Sequence, residues 1–286
     1  MNDLAERVEA LRPRLLRLAY GQLGSLAEAE DVVQDAWLRL QRVDADEIRD
    51  LEGWLVTTVS RLALDTLRSA RVRREAYVGP WLPEPIVSED AGPAERAARA
   101  EDVSMALLVV LESLSASERS AFVLHDVFGY SFDEVASALE ISSASARQQA
   151  SRARKAVEAR RPRFPATPEQ QREIITAFAR AAQEGDMDGL LAVLHPDVVF
   201  TSDGGGVVSA ARKPLEGADR VARAINAMAV KARAYETVEF VEVNGMPGAR
   251  SIGADGVVNI ISFTVDDGRI TAIDVQRNPE KLRHVE

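Results

Sequence analysis

The stretch of residues 131–157 constrains the fold of this chain more than any other. Ser131 and Glu134 have the Ser-x-x-Glu spacing of a capping box, in which side chains satisfy free amide groups at the start of a helix. The turn after this short helix has room for only a few residues, and Ser142 or Ser143 can cap a second helix. The spacing therefore predicts a helix-turn-helix.

The second predicted helix is strongly basic. Residues 143–163 contain seven Arg or Lys against one Glu, whereas the whole chain has a net charge of −10. Arginine and glutamine suit the base edges of a DNA major groove, and lysine and serine suit phosphates. The alternative is a solvated basic face on an ordinary helical hairpin. The residues predicted to contact DNA are Arg147, Gln148, Ser151, Arg152 and Lys155.

Length and composition exclude several classes of protein. The 286 residues exceed one typical domain, so we expect two or three. The net charge of −10 argues against a protein that coats nucleic acid indiscriminately. The chain has no cysteine and three scattered histidines, so we expect no disulfide, metal site or cofactor. It has no apolar signal core and no membrane-length apolar run, which predicts a cytoplasmic protein with no membrane contact.

Residues 4–78 have a helical pattern throughout. In the helix predicted near residues 26–42, an acidic stripe that includes Asp31 and Asp35 lies opposite an apolar face. This stripe could bind a basic partner surface, or it could be the solvated side of a bundle helix.

The next predicted helix, near residues 54–74, combines an aromatic side chain with a basic stripe. Five Arg stand against one Asp over residues 61–74, and Arg71 extends the charge toward the helix end. Guanidinium groups beside an exposed indole could hold a strand whose unpaired bases stack on the ring. Alternatively, Trp54 packs against a neighbouring loop. The residues that share one line on this helix are Trp54, Thr57, Arg61, Asp65 and Arg68.

Proline-rich segments divide the chain. Residues 79–102 contain four prolines and six acidic residues against two Arg, which predicts a linker after a first domain at 1–78. The pair Trp81-Leu82 inside it predicts a binding contact, because large apolar groups rarely stay exposed in a linker. Residues 103–161 form a second helical domain that ends with the helix-turn-helix, and prolines in 162–168 separate the remainder.

Residues 169–286 change from helical to extended patterns. Two helices are followed by a strand-like DVVFTS at 197–202 and by a third helix predicted over 215–231. Four extended runs come next, and the turn Asp267-Gly268 joins the final two runs. Helices followed by a curled antiparallel sheet predict an α+β cone with an interior pocket. The predicted fold class is thus multidomain, with two all-α helical domains followed by an α+β cone.

The order of these parts resembles an extracytoplasmic-function (ECF) sigma factor, the subunit that directs bacterial RNA polymerase to promoters. The two helical modules resemble its regions two and four. The segments that carry the resemblance are AEAEDVVQDAWLRL at 27–40, EGWLVTTVSRLALDTLRSARVRR at 52–74 and LSASERSAFVLHDVFGYSFDEVASALEISSASARQQASRARKAV at 114–157.

The C-terminal part resembles the SnoaL-like cone of polyketide cyclases and ketosteroid isomerases, which one sigma subgroup carries. Three motifs resemble the marks of that subgroup: WLPEP at 81–85, DGGG at 203–206 and NPEKL at 278–282. We hypothesise that these motifs contact one another and set the relative position of the two DNA-reading modules. The expected regulatory contact residues are Trp81, Leu82, Pro83, Glu84, Pro85, Asp203, Gly204, Gly205, Asn278, Pro279, Glu280, Lys281 and Leu282.

The resemblance also implies partners. Core RNA polymerase is expected to bind through its flap and the clamp helices of its largest subunit, and promoter DNA is the second partner. Asp31, Gln34 and Asp35 would dock the clamp helices. The basic helix-turn-helix would read the minus-thirty-five element. The residues implied in opening and reading the minus-ten element are Trp54, Arg61, Asp65, Arg68 and Arg71.

We predict a transcription initiation factor that acts when bound to core polymerase and is not an enzyme, with the fused cone as its regulator. One alternative is a cone that abstracts a proton next to a carbonyl, with His195, Asp203 and Asp274 as the candidate polar residues. The cone pocket could instead bind a small apolar effector. A third interpretation is a helix-turn-helix regulator that binds a palindrome as a dimer without polymerase.

Overall fold

In a computed structural model of the chain, the described residues are 2–44, 48–88, 103–160, 164, 166–232, 238–253 and 255–285. The chain divides into two compact units. Unit 1 comprises Met1–Ala76 and Leu107–Arg160, and unit 2 comprises Tyr77–Ala106 and Arg161–Glu286.

Within the described part of residues 2–75, unit 1 contains three helices: α1 (Asn2–Leu23), α2 (Leu26–Leu40) and α3 (Leu51–Glu75). Ser25 caps α2, because its hydroxyl accepts a hydrogen bond from the amide of Glu28. The three helices pack on one another, which confirms the helical pattern predicted here. Their buried residues include Leu18, Leu23, Val33, Ala36, Leu55, Val59 and Ala63.

The described residues 103–160 contain four further helices. They are α4 (Met105–Leu111), α5 (Ala116–Phe122), α6 (Phe132–Leu139) and α7 (Ser143–Arg160), and a π-helical turn, Val123–Val127, continues α5. The capping box of Ser131 and Glu134 is present before α6. The hydroxyl of Ser142 accepts from the amide of Ser145 at 3.1 Å and so begins α7. The predicted helix-turn-helix is confirmed.

The two helical modules pack together in unit 1. Helix α3 contacts both α5 and α6, so the modules expected from the sequence as separate domains form one compact body. Helical periodicity identifies which face of a helix is apolar, but it does not identify the helix that covers this face.

Unit 2 is built on a mixed sheet. Its helices are α8 (Pro168–Glu184), α9 (Met187–Val193) and α10 (Ala218–Ala232). Its strands are β1 (Val87–Ser88), β2 (Leu194–Asp203), β3 (Leu215–Glu216), β4 (Val238–Val243), β5 (Met246–Ile252), β6 (Val258–Asp266) and β7 (Arg269–Gln276).

The described strands have the order β1-β4-β5-β6-β7-β2-β3. Neighbours are antiparallel except β2 and β7, which are parallel. Two differences from the predicted pattern involve short strands. The helix expected from residue 215 begins at Ala218, after β3. The described part of the expected linker, residues 79–88, belongs to unit 2 and ends in β1, which pairs with β4.

The two faces of the sheet carry different clusters of apolar side chains. The larger cluster lies between the helices and the sheet and includes Ile175, Phe178 and Leu190. The smaller cluster includes Ile260 and Leu282. Since Ile261, the neighbour of Ile260 on β6, packs against the larger cluster, the two clusters lie on opposite faces. We call the face that carries Ile260 the outer face.

Candidate functional site

The predicted DNA-contacting face of α7 is exposed. A seam of buried alanines, Ala146, Ala150 and Ala153, holds α7 against α5 and α6. The side chain of Arg152 is 63% exposed and lies 3.9 Å from Glu118, too far for a strong ion pair. The helix therefore presents its donors to solvent. The exposed residues on this face are Arg147, Gln148, Ser151, Arg152 and Lys155.

Sequence patterns did not identify the aromatic support beneath this face. The ring of Phe132 stacks on His125, with the ring centroids 3.8 Å apart and the planes 24° apart. The guanidinium of Arg147 lies over the Phe132 ring at 5.3 Å, and that of Arg154 lies at 6.0 Å. Arg154 is also ion-paired with Asp126. These contacts restrict the orientation of two arginines on α7.

The polar face of α3 borders a surface groove. Trp54, Thr57 and Arg61 line this groove, which has a volume of about 550 Å³, together with Val43 and residues 48–50. The Trp54 indole thus lies beside the loop at residues 48–50, as expected if it packs against a neighbouring loop, and it also borders the groove.

The charged residues further along α3 are exposed. Asp65 and Arg68 form an exposed ion pair at 3.4 Å. Arg71 lies in the last turns of α3, where the side chains are outside the described ones. The structure thus leaves the Arg68 guanidinium accessible to solvent.

Arg61 contacts the last turn of α6. Its Nε donates to the carbonyl of Ala138 at 3.3 Å, and its Nη2 donates to the carbonyl of Ser137 at 2.9 Å. Its Nη1 lies 3.2 Å from the carboxylate of Glu140. The Arg61 side chain remains 43% exposed, so this contact lies at the edge of the packed surface.

The acidic stripe of α2 faces solvent. Asp31, Gln34 and Asp35 are exposed, while Ala29 and Ala36 on the other side are buried. A row of carboxylates on a rigid helix is suited to a basic partner surface.

The predicted regulatory motifs meet at the carboxylate of Asp203, which is completely buried at the end of β2. The Nζ of Lys281 lies 2.7 Å from its Oδ2, and the amide of Leu82 donates to the same oxygen at 2.9 Å. The hydroxyl of Tyr77 donates to Oδ1 at 2.6 Å, and Gln276 donates to Oδ2 at 3.3 Å. We call this set of five residues the Asp203 anchor.

Tyr77 and Gln276 are members of the anchor that the sequence motifs missed. Tyr77 lies just before WLPEP, and its hydroxyl also accepts from Asn278 at 3.0 Å. Burial, followed by the hydrogen bond and the charge of Asp203, raises the pKa of Tyr77 above its ordinary value. Lys281 lies 3.9 Å from the centroid of Trp81 and 5.1 Å from that of Tyr77. An ammonium between two aromatic rings and a carboxylate ties the linker to the NPEKL motif.

The glycines of the DGGG motif allow a close approach of the chain. Gly205 has φ +65°, and a Cβ there would collide with the carboxamide of Asn278. Around them, Pro83, Glu84 and Pro85 are buried, and the imidazole of His284 lies 3.3 Å from the Glu84 carboxylate. The other motif residues lie close by: Gly204 and Leu282 are buried, Pro279 is half-buried and Glu280 is exposed.

A second linker contact is formed by Asn244, in the turn between β4 and β5. Its side-chain Oδ1 accepts from the backbone amide of Ile86 at 3.0 Å, and its backbone amide donates to the Ile86 carbonyl at 2.8 Å. Its Nδ2 donates to the carbonyl of Val103 at 3.3 Å. One buried asparagine therefore binds the linker on both sides of residues 89–102. An Asn-Gly pair predicts a hairpin turn, but it does not predict this contact.

The candidate catalytic residues do not converge on one site. His195 lies near the start of β2, where Leu194 pairs with Ile270, and Asp203 lies at its end, paired with Gln276. Ile270 and Gln276 are six residues apart on β7, which is roughly 20 Å. Asp274 on β7 is opposite Thr201, and burial raises its pKa to about 7. In the part of the chain that the structure describes, no group of three or more metal-ligating side chains is placed to hold an ion. The described side chains between the helices and the sheet form a packed apolar cluster. A pocket for a small apolar effector therefore stays a prediction.

Comparison with protein families identifies both helical modules. The family model "Sigma-70 region 2" matches residues 7–73, and "Sigma-70, region 4" matches residues 104–157. No described helix has the length and apolar character of a membrane span.

Two curated relatives match nearly the whole chain. The chain is 42% identical to the ECF RNA polymerase sigma factor SigJ of Mycobacterium tuberculosis, over 96% of this chain and 91% of that protein. It is 34% identical to the probable ECF RNA polymerase sigma factor SigI of the same species, over 96% and 92%. The crystal structure of M. tuberculosis SigJ superposes with a TM-score of 0.81 at 39% identity, covering 98% of each chain. The chain therefore belongs to the extracytoplasmic-function sigma factors, with a sheet-containing domain after its two sigma regions.

Proposed function

We propose that this sigma factor contacts promoter DNA through two faces, the exposed face of α7 at the minus-thirty-five element and the polar face of α3 at the minus-ten element. The observation that carries the proposal is the exposed row of Arg147, Gln148, Ser151, Arg152 and Lys155 on the second helix of a capped helix-turn-helix. Such a helix fits the major groove, where Arg and Gln discriminate bases. The groove beside Trp54 offers an indole on which an unpaired base can stack.

The acidic stripe of α2 is the proposed dock for core polymerase. Asp31, Gln34 and Asp35 are exposed on one helix, on a different helix from both DNA-contacting faces. A sigma factor bound there leaves its DNA faces available, and the net charge of −10 suppresses binding of the free protein to random DNA.

The compact form of unit 1 is the proposed resting state. The two promoter elements lie about 25 base pairs apart, which is roughly 85 Å at ~3.4 Å per base pair. In the structure α3 touches α6, and α7, which packs on α6, is only about 27 Å long. The two faces cannot reach both elements in this arrangement, so the modules separate before promoter binding.

The C-terminal domain is the proposed restraint on this separation. The Asp203 anchor holds the linker near Leu82, and Asn244 holds it at Ile86 and Val103. While both contacts persist, the linker cannot extend. Once released, its roughly 27 residues from 77 to 103 could span about 90 Å, enough for the distance between the elements. The domain therefore regulates initiation by retaining or releasing the linker.

In vitro transcription with purified core polymerase tests the regulatory proposal. Lys281→Met in the full chain removes the ammonium that joins Asp203 to the Leu82 carbonyl. We expect promoter-specific transcript to increase several-fold, because the linker is released more readily. Lys213→Met, at an exposed lysine of the same unit, is the matched control. Equal transcript yield and equal promoter choice for the unmodified chain and both variants would contradict the proposed restraint.

Base substitution in the minus-thirty-five element tests the role of α7. Arg147→Ala should cost about 1–3 kcal/mol of discrimination at one base pair, the usual contribution of an arginine that reads a guanine. Arg160→Ala, at the exposed end of the same helix, removes the same charge without this contact. If both variants lose affinity uniformly across sequences, Arg147 contacts only phosphate.

A further inference from the structure

In this structure the end of α6 contacts Arg61 on the polar face of α3. Three oxygen atoms at the end of α6 surround the Arg61 guanidinium: the carbonyls of Ser137 and Ala138 and the carboxylate of Glu140, at 2.9, 3.3 and 3.2 Å. We call this contact the Arg61 clasp. It joins the first helical module to the second over more than 70 residues of sequence.

The end of α6 offers Arg61 the same kinds of oxygen acceptor that a nucleic acid offers. The last carbonyls of a helix lack partners within the helix and carry the negative end of its dipole. With a carboxylate beside them, they present an arginine with closely spaced anionic and neutral oxygen acceptors. Phosphate and base oxygens of DNA present the same set.

Glu140 lies at a backbone position where glycine is the usual residue. Its φ is +55°, in the left-handed region where a helix usually ends with glycine. Glycine would end α6 without strain, but it would supply no carboxylate to Arg61. The glutamate therefore adds an ion pair at a position where the backbone favours a smaller residue.

A second arginine connects the same two modules. Arg14 of α1 is ion-paired with Glu52 at the start of α3, and its guanidinium lies 5.5 Å from the ring centroid of Tyr130, just before α6. This contact also holds the second module on the first, independently of Arg61.

We propose that the last turn of α6 competes with promoter DNA for Arg61, so that the Arg61 clasp adds to the packing that keeps the free protein closed and is replaced when nucleic acid binds. The inference rests on the proposed DNA contact of α3. Because Arg61 and Glu140 are 43% and 70% exposed, the competition takes place in solvent and is readily reversible. Removing the carboxylate should shift the balance by about two- to five-fold, the usual effect of an exposed ion pair.

Fluorescence anisotropy with a labelled 20-nucleotide single-stranded DNA of random sequence measures the competition in the full chain. Glu140→Gln should tighten binding about two- to five-fold. The gain should vanish in the double variant Arg61→Ala/Glu140→Gln, which should bind like Arg61→Ala alone. Glu30→Gln, at an exposed glutamate of α2, makes the same charge change away from the clasp and should leave the affinity unchanged.

A distance measurement distinguishes the possible failures. The chain has no cysteine, so Leu38→Cys on α2 and Ala159→Cys on α7, both exposed, accept a unique dye pair for energy transfer. Glu140→Gln should lower the transfer efficiency. If Arg61→Ala weakens DNA binding while Glu140→Gln changes neither readout, the clasp is overturned and the DNA role of Arg61 stands. If Glu140→Gln lowers transfer but Arg61→Ala does not weaken DNA binding, the proposed DNA role of Arg61 is overturned.

Discussion

The Arg61 clasp in unit 1 and the Asp203 anchor in unit 2 are both long-range ionic contacts, but they differ in burial. Arg61 and Glu140 are 43% and 70% exposed, whereas Lys281 is 13% exposed and Asp203 is fully buried. An exposed pair contributes about 0–1 kcal/mol, while breaking a buried pair costs about 3–5 kcal/mol. The clasp can therefore yield to a competitor in solution, and the anchor requires a specific change at its own residues.

The largest expected effect is that of Asp203→Asn. It removes the charge that stabilises the buried ammonium of Lys281, so the free energy of unfolding should fall by about 3–5 kcal/mol. Urea denaturation of the full chain measures this loss. Asp267→Asn, in the exposed turn between β6 and β7, is the control. A loss equal to the control's would mean that the anchor is no stronger than the clasp.

A second buried carboxylate sharpens the comparison, because among the described residues no cation lies against Asp274 as Lys281 lies against Asp203. Its pKa is raised to about 7 from an ordinary 3.8, so the folded protein binds a proton that the unfolded chain releases. Stability should therefore fall as pH rises from about 4 to 7, by roughly 4 kcal/mol at most. Asp274→Asn should remove this slope in denaturation series across that range. If the pH dependence of stability persists in the variant, other titratable groups cause it.

Asn244→Gly should have an intermediate effect. Glycine keeps the positive φ of the turn but removes the carboxamide that bonds Ile86 and Val103, which should cost about 1–3 kcal/mol. Faster limited proteolysis between residues 88 and 103 is the expected readout. Asp267→Gly, at another hairpin turn with positive φ, controls for the glycine itself. Equal proteolysis of both variants would exclude Asn244 as a linker contact.

The smallest expected effect is on the clasp. Glu140→Gln should lower the free energy of unfolding by less than about 1 kcal/mol, and the difference should disappear at 1 M salt, where the Debye length is about 3 Å. Paired denaturation curves at low and high salt measure it. A loss near that of Asp203→Asn would show that the two contacts do not differ in strength.

Local signals in the sequence predicted the local structure. The Ser131 and Glu134 side chains bond amide groups three residues away, so their spacing alone defines the start of α6. The alanine seam and the exposed arginines of α7 likewise follow from the helical period. Motif resemblance further identified the three segments that meet at Asp203, although it gave no geometry for them.

The remaining contacts join residues that no local rule connects. Arg61 and Ser137 are 76 positions apart, and Tyr77 and Asp203 are 126 apart. Each of these side chains has an ordinary interpretation as a polar surface residue until the fold brings its partner close. The raised pKa of Asp274 is of the same kind, because it depends on burial by distant strands rather than on sequence neighbours.

The double contact of Asn244 has a consequence for how the segment between Ile86 and Val103 can vary. Since both flanks end at one side chain, insertions there enlarge a closed loop without moving its ends. Doubling the length of such a loop costs only about 0.6 kcal/mol. Insertions or deletions between residues 88 and 103 should therefore leave both contacts of Asn244 in place.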